Sequence, residues 1–354
     1  MEYKSNLEEM TRTTPTRFWN DSCSIPELEY ALGHGAVGAT TNPVIVCEVI
    51  ERERERYLSE IKALAAQHPG ATEDELAWLL NESMAVAGAK LLEGIFEESG
   101  GREGYISIQT NPKFYRSAEK ITEQALHFIS LAKNIMVKIP AAKAGIAAIE
   151  EATRQGVNVN ATVSFSVSQA LAVGEAVERG LRWRGAFGLD DSGLRPVCTI
   201  MAGRLDDWLK ETAEAQDIIV DPGALEMAGV AVVKRAYKIY KERGYRTRLL
   251  VAAYRNHMHW SEFIGGDISL TMPHKWIKRF INSDITVENR MDNPVDEGLI
   301  RQLRKHFPGF VKAYEPEGMY VSEFDSYGAT RKTLAQFLNG YDKMVAIVRG
   351  CLNS

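Results

Sequence analysis

Short apolar runs alternate with longer amphipathic stretches along this chain. Runs at Arg17–Asn20, Ala36–Thr40, Tyr105–Ile108, Ile135–Lys138, Val157–Thr162, Pro196–Met201, Arg248–Ala253 and Ile268–Met272 are short and apolar enough to read as buried strands. The stretches between them read as helices. Ser24 suits a cap with Pro26 in the first turn, and residues 51–66 form a charged amphipathic helix. Thr72 to Glu75 has the spacing of a capping box, and Gly100-Gly101 breaks the helix that follows. Further helices are predicted over 117–132, over a segment with Ile146 and Ile149 on one face, over 166–179, 205–213 and 223–243. Gly180 is expected to stop the helix before it and Gly244 to close the last of these. The charged, Gly-rich segment 180–195 reads as a loop excursion. Beyond Met272 the chain is mostly helical and irregular, and Leu334, Phe337, Leu338, Tyr341, Val345 and Val348 repeat at core-facing spacing.

Eight short strands separated by helices favour closure into a barrel over an open sheet. The expectation is an α/β protein, a single (β/α)8 TIM barrel with extra N-terminal and C-terminal helices. One domain spans residues 1–354, its barrel core at about 17–275 and a C-terminal helical extension at 276–354.

Composition narrows the function. With 45% hydrophobic and 25% charged residues in 354, the chain can bury a sizeable core. A net charge of -5 argues against general nucleic-acid binding. The chain lacks a long apolar span and its N-terminus lacks the apolar segment of a leader, so no membrane partner is expected and the location is read as cytoplasmic. Cys23, Cys47, Cys198 and Cys351 are scattered without metal or redox spacing and read as small buried thiols in a reducing compartment. His257 and His259 form an HxH pair without a third ligand at informative spacing, so they read as polar loop histidines and no metal is expected.

Candidate chemistry lies at the strand exits, which a parallel barrel gathers on one face. Those exits carry Asp21, Asn42, Gln109, Lys138, Asn160, Thr162, Arg204 and Arg255. Lys138 stands between Val137 and Ile139-Pro140, an unusual place for an ammonium. Burial there would lower its pKa and raise its nucleophilic fraction. Taken singly, each residue also has a plain structural role: Lys138 with its head in water, Asp21 capping a helix, Asn42 turning the chain before Pro43, the arginines paired with Asp206, Asp207 or other carboxylates. The set at one mouth is what favours a site.

The chain resembles the transaldolase family in DSCSIPEL after the first strand, in GATTNP, in VKIPAAKAGIAAIEEATRQGVNVNATVSFSVSQA, and in AGRLDDW and AAYRN. The matches keep the family's order from about Arg17 to Met272, and GATTNP and the VKIP-to-NAT block are the specific ones. The resemblance implies an enzyme without metal or organic cofactor that acts on a ketose phosphate and an aldehyde through a lysine Schiff base, with a homo-oligomer open. It implies Lys138 as that lysine and Asp21 as the acid/base at the C4 hydroxyl. Asn42 and Asn160 become positioning amides, Thr162 the hydroxyl that holds a catalytic water, and Arg204 with Arg255 the phosphate pair.

Two positions depart from the family's pattern. Gln109 replaces a glutamate that takes part in proton transfer; glutamine orients a water but is no base. Members that release the three-carbon unit carry glutamine there. Met201 replaces an aromatic residue, and the loop 180–195, with Arg182, Arg184 and Arg195, is longer than usual. That loop reads as solvated, with contact to a substrate tail as the alternative. Because the general framework resembles that of the longer family members, transfer of a dihydroxyacetone unit to an aldehyde is expected, with release of free dihydroxyacetone, a silent sugar-phosphate-binding member and an unrelated metal-dependent barrel as alternatives.

Overall fold

The computed structural model describes residues 3–353. Eight parallel strands close into a barrel in chain order, as the apolar runs predict. They are β1 (Arg17–Asn20), β2 (Gly38–Thr40), β3 (Tyr105–Gln109), β4 (Ile135–Pro140), β5 (Val159–Ser164), β6 (Val197–Ile200), β7 (Arg248–Val251) and β8 (Ser269–Met272). Closure is made by β1 on β8, from Arg17 opposite Ser269 to Asn20 opposite Met272. The expected TIM barrel is therefore the observed fold.

Side chains alternate along each strand, one set outward to the helices and the other into the barrel. Ile106, Ile108, Val137 and Ile139 are fully buried against the surrounding helices. The inner set includes Ser107, Asn160 and Thr199, joined by hydrogen bonds from the Asn160 amide to Ser107 Oγ at 3.0 Å and from Thr199 Oγ1 to Asn160 Oδ1 at 2.7 Å. Polar groups at such depth are costly unless paired, and these pair with one another. At Gly38 a Cβ would stand 2.7 Å from the Trp19 ring, so a glycine is needed for the indole to lie across the barrel.

Several expected boundaries change, among them that of β5, which runs Val159–Ser164 where 157–162 is expected and so holds Thr162 within the strand. The helix at 51–66 is two, Pro43–Arg52 and Arg54–Gln67, broken at Glu53. Gly180 does not stop its helix, which runs Val167–Ala186. A Cβ at Gly180 would meet Thr153 Cβ at 2.7 Å and Glu150 O at 2.9 Å, so the glycine serves the close approach of the helix Lys143–Arg154. The predicted loop 180–195 is correspondingly shorter, and Arg184 is tied to Arg154 O at 2.8 Å. Ser24 stands at the N-cap of Ile25–Leu32 without a side-chain capping bond, its Oγ donating to Glu53 Oε1 at 2.6 Å instead, whereas Thr72 and Glu75 form the capping box and Gly244 ends Pro222–Arg243 at φ 63°.

The C-terminal helix, Gly328–Leu352, packs on Pro43–Arg52 and on the end of β5. Of its predicted core positions, Leu334, Phe337, Tyr341, Val345 and Val348 are buried and Leu338 half-buried. Tyr341, Val345 and Val348 join Val46, Ile50, Ile61 and Leu80 in a second apolar cluster outside the barrel. Gln169 fixes the helix to the barrel: its Nε2 donates to Ala141 O and Val163 O at 3.1 Å and to Thr330 Oγ1 at 3.3 Å. This bridge puts the C-terminal helix over the ends of β4 and β5.

Candidate active site

Lys138 points into the barrel and is 2% exposed. Its Nζ donates to Thr41 O at 3.2 Å. Burial pulls its pKa from 10.5 down to about 8, against the opposing pull of Asp21 and with a smaller push from Arg204. The reading of this lysine as a surface ammonium is thereby set aside.

Asp21 follows β1, its N–H bonded to Met272 O at 2.9 Å. Thr40 Oγ1 donates to its Oδ1 at 2.7 Å and lies 2.6 Å from Thr271 Oγ1. Burial raises the Asp21 pKa, while Lys138, the Thr40 bond and Arg204 hold it down. Asp21, Lys138 and Arg204 thus share one electrostatic neighbourhood.

Gln109 lies opposite Lys138 in register, and Lys138 opposite Asn160. Gln109 is 3% exposed and its Oε1 has no protein partner. Thr162, opposite Pro140, is fully buried, with its Oγ1 4.0 Å from the Met201 sulfur. The next residue, Val163, has φ 54°, and the register against β6 slips between Ala161 and Ser164. A left-handed β-branched residue is strained, and such strain concentrates where function fixes the chain. Asn42 caps Pro43–Arg52, its Oδ1 accepting from Val44 N at 3.0 Å and Ile45 N at 3.1 Å. Asn42, considered as a turn residue before Pro43, is thus a helix cap, and its amide nitrogen remains to donate elsewhere.

Arg204 lies in the first turn of the helix Ala202–Ala215, and Arg255 follows β7. A Cβ at Gly203 would fall 1.9 Å from Ala253 O, so only glycine lets these two strand exits come so close. Ala253 itself has φ 67°. Arg255 is held by Asp207, with Nε 2.9 Å from both carboxylate oxygens. Arg204 instead hydrogen-bonds Gln336 and lies 5.5 Å from the Phe337 ring centroid. Both arginines line a cavity of about 420 Å³ walled by Lys332, Thr333, Gln336 and Asn339 of the C-terminal helix. A separate opening of about 640 Å³ reaches Asp21 beside His274 and Arg52.

A profile of the Transaldolase/Fructose-6-phosphate aldolase family matches residues 18–312. The chain belongs to that family. It is 33% identical over 334 residues to Transaldolase 1 of Streptomyces avermitilis, covering 86% of each chain. It is 31% identical over 224 residues to Transaldolase 1 of Streptomyces coelicolor, covering 62% of this chain and 58% of that one. With the Transaldolase of Neisseria gonorrhoeae it shares 27% over 298 residues, 78% of this chain and 82% of the other. The expectation of a transaldolase-type enzyme stands with that membership.

Other expectations need correction. His259 is no loop histidine: it is fully buried, its Nε2 2.8 Å from Asp206 Oδ2 and its Nδ1 accepting from Arg255 N at 3.0 Å. Asp206 is accordingly a buried partner of His259 and not of either arginine. Arg195 lines a cavity at the N-terminal ends of the strands, with its side chain on Ser192 O and Leu194 O, remote from the mouth. Among the described residues no group of three or more His, Cys, Asp or Glu side chains is placed to hold a metal ion, and no helix is long and apolar enough to cross a membrane. Sequence reasoning missed Thr40, Thr41 and the polar face of the C-terminal helix. That face was visible as Lys332, Gln336, Asn339 and Lys343, spaced at helical periods opposite the apolar stripe.

Proposed function

We propose that this family member cleaves an anionic ketose through a Schiff base on Lys138 and transfers the three-carbon dihydroxyacetone unit to an aldehyde. The observation that carries the proposal is a lysine 2% exposed inside the barrel, its pKa drawn down to about 8 by burial, in one electrostatic neighbourhood with the Asp21 carboxylate. At pH 7 roughly one such amine in ten is neutral, against about three in ten thousand at the ordinary value.

The neutral Nζ adds to the ketone carbon and water leaves, forming a protonated imine. Asp21 takes the proton of the C4 hydroxyl. The C3–C4 pair then moves into the imine, giving an enamine and releasing the first aldehyde. Carbon attack on a second aldehyde, with Asp21 returning its proton to the new hydroxyl, and hydrolysis of the new imine complete the transfer and restore the amine. Gln109 and Thr162, with unspent hydrogen-bonding capacity, suit a water at the imine carbon. Asn42 and Asn160 position hydroxyls of the substrate. Arg204 and Arg255, on one cavity, suit its anionic end.

A second reading, release of free dihydroxyacetone, is favoured by Gln109, which offers no base at that water. Both are tested together. Borohydride reduction with fructose 6-phosphate should add a three-carbon or whole-sugar mass to the peptide carrying Lys138. Product analysis with and without an aldehyde acceptor then separates transfer from release. An intact protein that never acquires the adduct rejects the imine and leaves a sugar-phosphate-binding role.

A further inference from the structure

At the N-terminal ends of the strands, opposite the mouth, lies a cavity of about 610 Å³. In barrels of this type that end serves stability and the interior is filled by side chains. Here the inner residues Trp19, Met136 and Ser269 line the cavity. They stand two residues before Asp21, Lys138 and Thr271 along the chain, so the chamber lies about 7 Å below the level of Lys138.

Three polar atoms of its wall are buried without a protein partner, Thr247 Oγ1, Arg248 Nε and Ser269 Oγ, while the Trp19 indole faces the Glu103 carboxylate. Trp19, Thr247 and Ser269 are at most 3% exposed. Buried polar groups in native proteins are nearly all satisfied. The guanidinium group only donates, and the two hydroxyls can donate as well, so three unspent donors line one space.

The charge has the matching sign. The wall carries Arg17, Arg102, Arg195, Lys241, Arg246 and Arg248 against Glu103 and Asp267. Glu103 lies between Arg17 at 3.8 Å and Arg248 at 3.3 Å, Asp267 is 3.1 Å from Arg248, and Arg246 is paired with Asp191 at 3.0 Å. Arg102, Arg195 and Lys241 keep no carboxylate among the ion pairs of the described residues. Tyr237, Tyr240 and Tyr245 add aromatic wall on one side.

We propose that this chamber is a second ligand site, for a phosphate monoester, distinct from the Lys138 site. Convergent donors with surplus arginine and lysine suit a dianion, and the tyrosines suit an organic body attached to it. The proposal stands independently of the chemistry at Lys138.

The test titrates the full chain with inorganic phosphate, ribose 5-phosphate and AMP, reading heat and the tryptophan fluorescence lost in a Trp19→Phe variant. Double substitution Arg204→Ala with Arg255→Ala removes the anion end of the mouth site. Binding that persists in it, with the Trp19 signal, is the expected result. Exposed Arg102→Ala with Lys241→Ala should weaken that binding about tenfold or more, while Thr247→Val and Ser269→Ala should keep the fold and shrink the phosphate-induced rise in melting temperature. Tighter binding of ribose 5-phosphate or of AMP than of phosphate identifies the organic body as sugar or nucleoside. Phosphate binding abolished by the Arg204 and Arg255 pair alone, or left unchanged by every chamber variant, overturns the proposal.

Discussion

Lys138→Met is expected to make the protein inactive and more stable. Met has nearly the length of the lysine stem without its charge. In the fold burial draws the amine's pKa down from 10.5 to about 8. At about 1.4 kcal/mol for each tenfold change in proton affinity, the charged amine is disfavoured by about 3 kcal/mol at pH 7. Asp21 opposes part of the gain, because Lys138 helps hold its carboxyl down. The stabilisation is therefore at most about 3 kcal/mol. The sign follows from proton counting. Between about 8 and 10.5 the unfolded chain holds more protons on this lysine than the native one, so wild-type stability rises with pH across that window. The advantage of the Met variant should be full below pH 8 and close above it. Urea unfolding of both proteins at pH 7, 8.5 and 9.5 measures it. A less stable variant, or a gap that does not change with pH, would refute the view that Lys138 is held at a cost for its chemistry.

Three further outcomes are expected. Gln109→Glu restores an ionisable group at the proposed water and should raise the ratio of transferred to released three-carbon product, measured with and without an aldehyde acceptor. Asp207→Asn frees Arg255 from a half-exposed ion pair and should lower KM for the anionic ketose up to about fivefold, the equivalent of about 1 kcal/mol; an unchanged KM would remove Arg255 from the anion site. His259→Leu leaves buried Asp206 with Gly229 N as its remaining hydrogen-bond donor and should cost about 3–5 kcal/mol in urea unfolding.

Much of the fold was legible because it follows from short-range rules. Apolar runs of strand length, helical periods between them, the Thr72 capping box and the left-handed Gly244 depend on neighbours in sequence, and the chain carries them plainly. The strand-exit residues were legible for a related reason: a parallel barrel turns every exit toward one face. Gly180 misled because a glycine marks either a break or a close approach, and only the position of Thr153 and Glu150 decides between them. His259 misled likewise, since its partner Asp206 is distant in sequence and adjacent in space.

The sequence by itself determined the order of strands and helices, the lysine at the end of the fourth strand and the family pattern around it. Tertiary structure alone decided how dry that lysine is, that Arg204 bonds Gln336 while Arg255 bonds Asp207, and that unpaired donors line the cavity at the N-terminal ends of the strands. The reason is physical: periodicity and capping act over a few residues, whereas desolvation and charge pairing depend on every element that packs around a group.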